Sequence, residues 1–228
     1  MTSGGRELLK WLALVLMTGD HIVTVFGLGY VPVVSELGRV AYPVFALVMA
    51  YNLAQPGADA WKSARRLALW GLVATPAAVL AFDQPLPLNV LLTFAVAAGC
   101  IWALERRQWA LAALLCLVAP VVLDYAWPGV WLVLAAWAWF KNHGKRMHWL
   151  LGSCDWRQQR LYLVLPIWVW ACMGLLCLYN GNGWALLALP VMALGELPAR
   201  IPRSGRAFYA YYVGHLALLV VLVAIVGA

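Results

Sequence analysis

Four polar side chains that can carry protons lie inside otherwise apolar segments. Asp20 and His21 interrupt the apolar run 9–26, and Tyr212 and His215, three residues apart near the C-terminal end, share one helical face. Histidine exchanges protons near neutral pH, and a carboxylate beside it can orient the ring and stabilise the imidazolium. A histidine in an apolar pocket can therefore act as a general base toward an amine or a hydroxyl.

The depth of these residues is the second clue. An ionisable side chain in a membrane helix costs about 2.5–3.5 kcal/mol on insertion scales, so it needs a reason to be there. At about 1.5 Å per helical residue, Asp20 and His21 lie about 15–17 Å beyond Lys10, and His215 lies about 13 Å beyond Arg206. We therefore expect the acid and both histidines at one depth, near the middle of a bilayer.

A further set of polar residues is expected to line the outer half of the same bundle. They are Arg39, Asn89, Thr93, Asp124 and Tyr125. Structural alternatives exist for single members: Arg39 and Asp20 as a buried ion pair, Asn89 as a helix cap, Tyr212 as packing, and either histidine bonded to a backbone carbonyl. Separate explanations of this kind do not account for two histidines and an acid at one depth.

The composition indicates which elements must position these residues. Of the 228 residues, 65% are hydrophobic and 11% are charged, whereas a soluble domain has roughly 45–50% and about 25%. We predict an all-α integral membrane protein, a single polytopic domain over 1–228, with about nine transmembrane helices. The predicted spans are 8–27, 36–54, 63–82, 87–104, 109–125, 128–140, 160–179, 183–197 and 206–227, the sixth and eighth of which are short.

The basic residues predict the orientation of these spans. If nine spans alternate, all of the 16 Lys and Arg residues except Arg39 fall on one side. The positive-inside rule then places the N-terminus in the cytoplasm and the C-terminus in the periplasm. Topology explains the basic charge, so we expect no nucleic-acid partner. The five cysteines contain no C-x-x-C pair, which argues against a metal site or a disulfide framework.

Five blocks of sequence occur in a recognisable order. They are LKxxALVLMxxDH ending at His21, GRVAYPVFAL at 38–47, LNVLLTF at 88–94, Asp124-Tyr125 followed by Gly129-Val130, and FYAYYVGHLAL at 208–218. Together these blocks resemble the signatures of the TraX family over nearly the whole chain. Ala126 stands where that family's pattern has a glycine directly after the tyrosine, and the stretch of about 130–205 matches only in character.

The resemblance implies a multi-pass protein of the bacterial inner membrane that N-acetylates the pilin subunit of a conjugative plasmid, with acetyl-CoA as donor and no metal. We expect His21 to be the general base, oriented by Asp20 or Asp124. Arg39 would pair with Asp20 or polarise the thioester carbonyl, and His215 with Tyr212 would handle a second proton or donate to the oxyanion.

The remaining expectations concern ligands and rival functions. Asn89, Thr93, Asp124 and Tyr125, together with Tyr212, are expected to bind substrate, and membrane lipid surrounds the bundle. Four arginines are expected to hold the CoA phosphates unless they serve topology alone: Arg65, Arg66, Arg106 and Arg107. The alternatives are a proton-coupled small-molecule transporter and a non-catalytic pilin chaperone or assembly factor.

Overall fold

The computed structural model describes residues 1–150 and 165–226, whose secondary structure is mostly helix, and this confirms the all-α class. Within those ranges the helices are α1 (Ser3–Val25), α2 (Val34–Leu53), α3 (Ala60–Phe82), α4 (Val90–Glu105), α5 (Trp109–Ala113), α6 (Ala126–Leu150), α7 (Ile167–Asn180), α8 (Ala188–Val191) and α9 (Ala207–Val226). The described residues form no strand, and one isolated bridge joins Leu88 to Leu123.

Three of these helices are long and apolar enough to cross a membrane, namely α1, α3 and α9. They cover 23, 23 and 20 residues, and about 20 residues span a bilayer core. Large apolar side chains stand exposed along them, for example Leu69, Leu80 and Ile225 at 62%, 68% and 67% exposure. Apolar faces of this kind are typical of helices that meet lipid rather than water.

The two predicted short spans differ from expectation in opposite ways. The span predicted at 128–140 is the interior of α6, which continues to Leu150, because charged side chains after 140 do not end a helix. The span predicted at 183–197 is a shorter apolar helical segment, Trp184–Glu196, in which α8 lies between the 3₁₀ helices Trp184–Leu187 and Met192–Glu196. The predicted span 160–179 begins partly outside the described residues, and Pro166 immediately precedes α7.

The bundle has α2 at its centre. This helix buries residues on every side, from Ser35 to Leu53, and packs on α1, on α6 and on the 3₁₀ helix Trp184–Leu187. Helices α3 and α4 form a second antiparallel pair, and α9 packs across α3 and α1. The arrangement surrounds a polar interior region with helices from both ends of the chain.

Basic side chains gather at one end of the bundle. Arg6 at the start of α1 donates to Asn52 near the end of α2 at 2.6 Å, and Lys10 donates to Ser204 before α9 at 3.3 Å. Lys141 of α6 forms an ion pair with Glu105 at the end of α4. We call this the basic end; the polar residues of the candidate site lie nearer the opposite end.

Candidate functional site

A cavity of about 340 Å³ lies between α1, α2, α3 and α9, and the loop before α4 forms its rim. We call it the histidine cavity. Its polar lining residues are Asp20, His21, Thr24, Arg39, Tyr42, Thr75, Gln84, Asn89, Asp124, Tyr125 and Tyr212. The structure therefore brings together side chains from five separate parts of the sequence. Of the residues predicted for the site, Thr93 and His215 do not line this cavity directly.

His21 of α1 and His215 of α9 are joined by a hydrogen bond of 2.9 Å between Nδ1 of His21 and Nε2 of His215. The Nδ1 atom of His215 lies 3.0 Å from the carbonyl oxygen of Tyr211, which only accepts, so this nitrogen carries the proton. In the neutral pair, Nε2 of His215 therefore accepts from His21. The Nε2 atom of His21 is then an unprotonated base, without a hydrogen-bond partner among the described residues.

Packing holds both rings in this arrangement. The His21 ring meets the edge of Phe82, with centroids 5.2 Å apart, and lies only 10° from the plane of the His215 ring. His215 is 7% exposed, and its ring also contacts Tyr211 and Tyr212. Because α1 and α9 are the first and last helices, the pair also ties the two ends of the chain together.

Two carboxylates and one guanidinium share the cavity with His21. Arg39 of α2 interacts electrostatically with both Asp20 and Asp124 across this space. Within the described part of the chain, however, Arg39 forms an ion pair with neither carboxylate; the ion pairs found there are Lys10–Glu7 and Lys141–Glu105. The structure thus does not contain the buried Asp20–Arg39 ion pair considered above, and Arg39 faces the cavity instead.

Gly38 lets Asp20 approach α2 closely. A Cβ atom built on Gly38 would lie 2.5 Å from Cβ of Asp20, which is closer than real Cβ atoms come. The glycine next to Arg39 therefore sets the separation of α1 and α2 at the level of the acid. This close approach is the physical reason for glycine at position 38.

The Asp124–Tyr125 turn is held in place through its backbone. Leu88 N–H donates to Val122 at 2.8 Å, Asp124 N–H donates to Leu88 at 2.9 Å, and the Thr93 hydroxyl donates to the Asp124 carbonyl at 2.8 Å. Thr93 is fully buried and positions this turn instead of contacting the cavity. The side chains of Asp124 and Tyr125 are left to face the cavity.

Asn89 both caps α4 and lines the cavity. Its side-chain oxygen accepts from Leu91 N–H at 3.2 Å, and its amide nitrogen donates to the Gly71 carbonyl and the Thr75 hydroxyl at 2.9 and 3.0 Å. These bonds join α4 to α3 and leave little capacity for a ligand. The geometry favours the capping role that the sequence left open.

Tyr42 is a cavity residue that the sequence analysis did not select. It is 2% exposed, its ring stacks between Phe94 and Tyr125 at 5.2 and 3.9 Å, and its hydroxyl has no hydrogen-bond partner among the described residues. A buried hydroxyl without a partner is costly, so it is well suited to meet a ligand oxygen. Within the block AYPVF, the tyrosine resembled an ordinary core residue.

Three of the four arginines predicted to hold a cofactor line no cavity described here. Arg65, Arg106 and Arg107 are exposed at the basic end, whereas Arg66 lines a second cavity of about 540 Å³ at that end. In the described part of the chain no group of three His, Cys, Asp or Glu side chains could hold a metal ion. The histidines, carboxylates and hydroxyls that meet at the histidine cavity are suited to proton transfer and hydrogen bonding.

Comparison with known proteins places this architecture in one family. The family model described as TraX protein matches residues 5–223. A protein named Protein TraX from Escherichia coli is 30% identical over 231 residues, covering 96% of this chain and 87% of the relative. Another Protein TraX, from Escherichia coli strain K12, is 27% identical with the same coverage. No solved structure matches the chain. The chain belongs to the TraX family.

Proposed function

We propose that this chain is a membrane-embedded acetyltransferase that transfers acetyl from acetyl-CoA to the N-terminal amine of a conjugative pilin subunit. The observation that carries the proposal is the hydrogen bond between His21 and His215. This bond leaves Nε2 of His21 free, and His21 lines a polar cavity. Buried base nitrogens beside carboxylates are suited to activating an amine. The pilin acceptor and the acetyl donor come from what TraX membership implies.

The proposed topology is nine spans in the bacterial inner membrane, with the N-terminus in the cytoplasm and the C-terminus in the periplasm. The clustering of Arg6, Lys10 and Lys141 at one end of the bundle supports it, because the positive-inside rule puts such an end in the cytoplasm. The histidine cavity then lies toward the periplasm, where the processed pilin would present its amine.

In the proposed step, the neutral amine nitrogen attacks the carbonyl carbon of the acetyl thioester. A carbon–nitrogen bond forms, the carbon–sulfur bond breaks, and Nε2 of His21 accepts the proton that the amine loses. The resulting imidazolium returns that proton to the departing thiolate, so the products are an acetylated amine and the CoA thiol. His215 accepts from Nδ1–H of His21 throughout and stabilises the transient cation.

Arg39 and Tyr42 are proposed to act on the thioester oxygen. Negative charge develops on this oxygen during attack, and preorganised donors aimed at it contribute strongly to catalysis. Arg39 has a guanidinium that is not neutralised by an ion pair within the described residues, and Tyr42 has a free buried hydroxyl. Asp20 and Asp124 are proposed to balance the charge of the imidazolium.

A proton-coupled transporter is the second candidate, because Asp20, Arg39 and Asp124 share a cavity without forming ion pairs with one another. Carboxylates that can take up and release protons in that way are typical of proton relays. A transporter would move its substrate unchanged, whereas the proposed enzyme changes the mass of the pilin.

Mass spectrometry of the pilin therefore tests the proposal. Pilin is co-expressed with the native chain, with His21→Ala, with His215→Ala or with no partner, and membrane insertion is checked in each case. We expect one added acetyl group at the pilin N-terminus with the native chain and none without it or with His21→Ala. Full acetylation with both histidine variants would point to a non-catalytic assembly factor and would remove the proposed mechanism.

A further inference from the structure

A second cavity, of about 540 Å³, occupies the basic end of the bundle. We call it the basic cavity. It lies between the beginnings of α1, α3 and α9, the end of α2 and the loop Gln55–Ala58. Four basic side chains and one carboxylate line it: Arg6, Lys10, Arg66, Arg203 and Glu7. The excess of positive charge predicts an anionic ligand.

Two of those four cations are already engaged. Lys10 forms an ion pair with Glu7 at 2.7 Å, and Arg6 donates to the side-chain oxygen of Asn52. Arg66 and Arg203, in contrast, have no hydrogen-bond or ion-pair partner among the residues that the structure describes. A guanidinium presents paired N–H donors that match the oxygens of a phosphate group.

An aromatic surface accompanies the free arginines. The Arg66 guanidinium lies 5.3 Å from the centre of the Tyr209 ring, and Tyr209 and Phe208 both line the basic cavity. The Tyr209 ring also stacks on Trp70, with centroids 6.0 Å apart and ring planes 13° apart. Tyr209 therefore holds the Arg66 guanidinium at the wall of the cavity, where its N–H donors match the phosphate oxygens of a ligand.

The basic cavity meets the histidine cavity inside the bundle. Met17, Phe45, Val90 and Tyr212 line both cavities. Lys10 lines the basic cavity and His21 lines the histidine cavity. The two residues are about 16 Å apart along α1. A ligand that occupies both must be long and thin between its anionic end and its reactive end.

We propose that the basic cavity binds the phosphate-bearing end of the acyl donor through Arg66 and Arg203. The thioester arm then passes between Phe45 and Tyr212 to the histidine pair. This inference rests on the proposed function for the identity of the donor. Of the four arginines that the sequence predicted to hold the CoA phosphates, the proposed site contains only Arg66.

The test is direct binding of CoA to the purified full-length chain by calorimetry at fixed ionic strength. We expect Arg66→Gln and Arg203→Gln each to raise the dissociation constant for CoA about tenfold to hundredfold, because each removes a charge-assisted hydrogen bond to phosphate. Lys62→Gln and Arg206→Gln, exposed cations nearby that do not line the cavity, are the matched controls and should bind CoA normally. Equal loss in all four variants would overturn the inference, because it would indicate general attraction by a basic surface.

An anionic lipid headgroup carries the same phosphate chemistry, so the assay is repeated in nanodiscs of phosphatidylcholine and of phosphatidylglycerol. Arginine-dependent retention of phosphatidylglycerol without arginine-dependent CoA binding would also overturn the inference. His21→Ala separates the two proposals, since it should abolish transfer and leave CoA binding intact. If the native chain acetylates pilin and both arginine variants bind CoA normally, the proposed CoA site is wrong and the proposed function stands. If CoA binding depends on the two arginines but pilin is not acetylated, the proposed function is wrong and the CoA site stands.

Discussion

The Nδ1 atom of His21 lies 2.9 Å from Nε2 of His215, although 194 positions separate the two residues in sequence. A carbonyl on the far side of His215 decides which nitrogen of each ring carries the proton. His215 thus acts through His21, as an orienting partner, whereas His21 presents the basic nitrogen. The two residues form a unit, and their variants should behave as one.

The first prediction follows from this unit. His21→Ala should lower the rate of pilin acetylation at saturating donor by about 10²–10⁴-fold, the usual contribution of a general base. His215→Ala should lower it by about a hundredfold, because the ring of His21 loses its tautomer and orientation. The double variant should be no worse than His21→Ala alone, since the two effects share one mechanism. Multiplicative losses in the double variant would show that the histidines act independently.

The second prediction concerns the free hydroxyl in the histidine cavity. Tyr42→Phe removes a buried group that has no partner in the described part of the chain, so thermal stability should stay the same or rise slightly. The acetylation rate should fall at least about tenfold if this hydroxyl donates to the thioester oxygen. Tyr179→Phe, on a ring that packs on Tyr125 outside the cavity, is the matched control. An unchanged rate in Tyr42→Phe would exclude this donor.

The sequence was most informative where the energetic cost of a residue in lipid is high. Asp20, His21 and His215 stood out because charged or polar groups are expensive in an apolar helix, and counting residues from Lys10 and Arg206 placed them at one depth. The structure brings the two histidines into direct contact. The helices were also predictable, since long apolar runs have few alternatives to helix in a membrane.

Other features could not be inferred because their signal is ambiguous in sequence. Tyr42 lies in an apolar block, and only the structure shows that its hydroxyl has no partner in the described part. In the sequence, Arg66 and Arg203 resemble every other basic residue that the positive-inside rule requires. Only the three-dimensional structure shows that they line the same cavity. The segment Trp184–Glu196 is as apolar as a longer span, and composition does not show that it is divided into two 3₁₀ helices on either side of α8.

The third prediction tests how α1 and α2 position the acid. In Gly38→Ala the new methyl group would meet Asp20 at 2.5 Å, so the helices must separate. We expect a loss of about 1–3 kcal/mol in the free energy of unfolding, as for overpacked cores, together with slower acetylation. Gly174→Ala in α7 is the control, because its Cβ meets nothing within 4 Å; it should be neutral or stabilising by up to about 1 kcal/mol. Equal behaviour of both variants in a denaturation assay would contradict the close approach.

The fourth prediction concerns the turn that presents Asp124. Tyr125 and Ala126 have φ angles of 59° and 41°, a region that costs about 1–2 kcal/mol for residues with a side chain. Ala126→Gly should therefore raise the free energy of unfolding by about 1 kcal/mol, measured by denaturation in detergent, even though glycine usually destabilises a helix. Ala135→Gly, in the regular part of α6, is the matched control and should lower it by about 0.5–1 kcal/mol. If both substitutions destabilise the protein equally, the left-handed turn before α6 is not strained. The acetylation rate of Ala126→Gly then reports whether that strain serves the placement of Asp124: a stabilised variant with a full rate would make the turn purely structural.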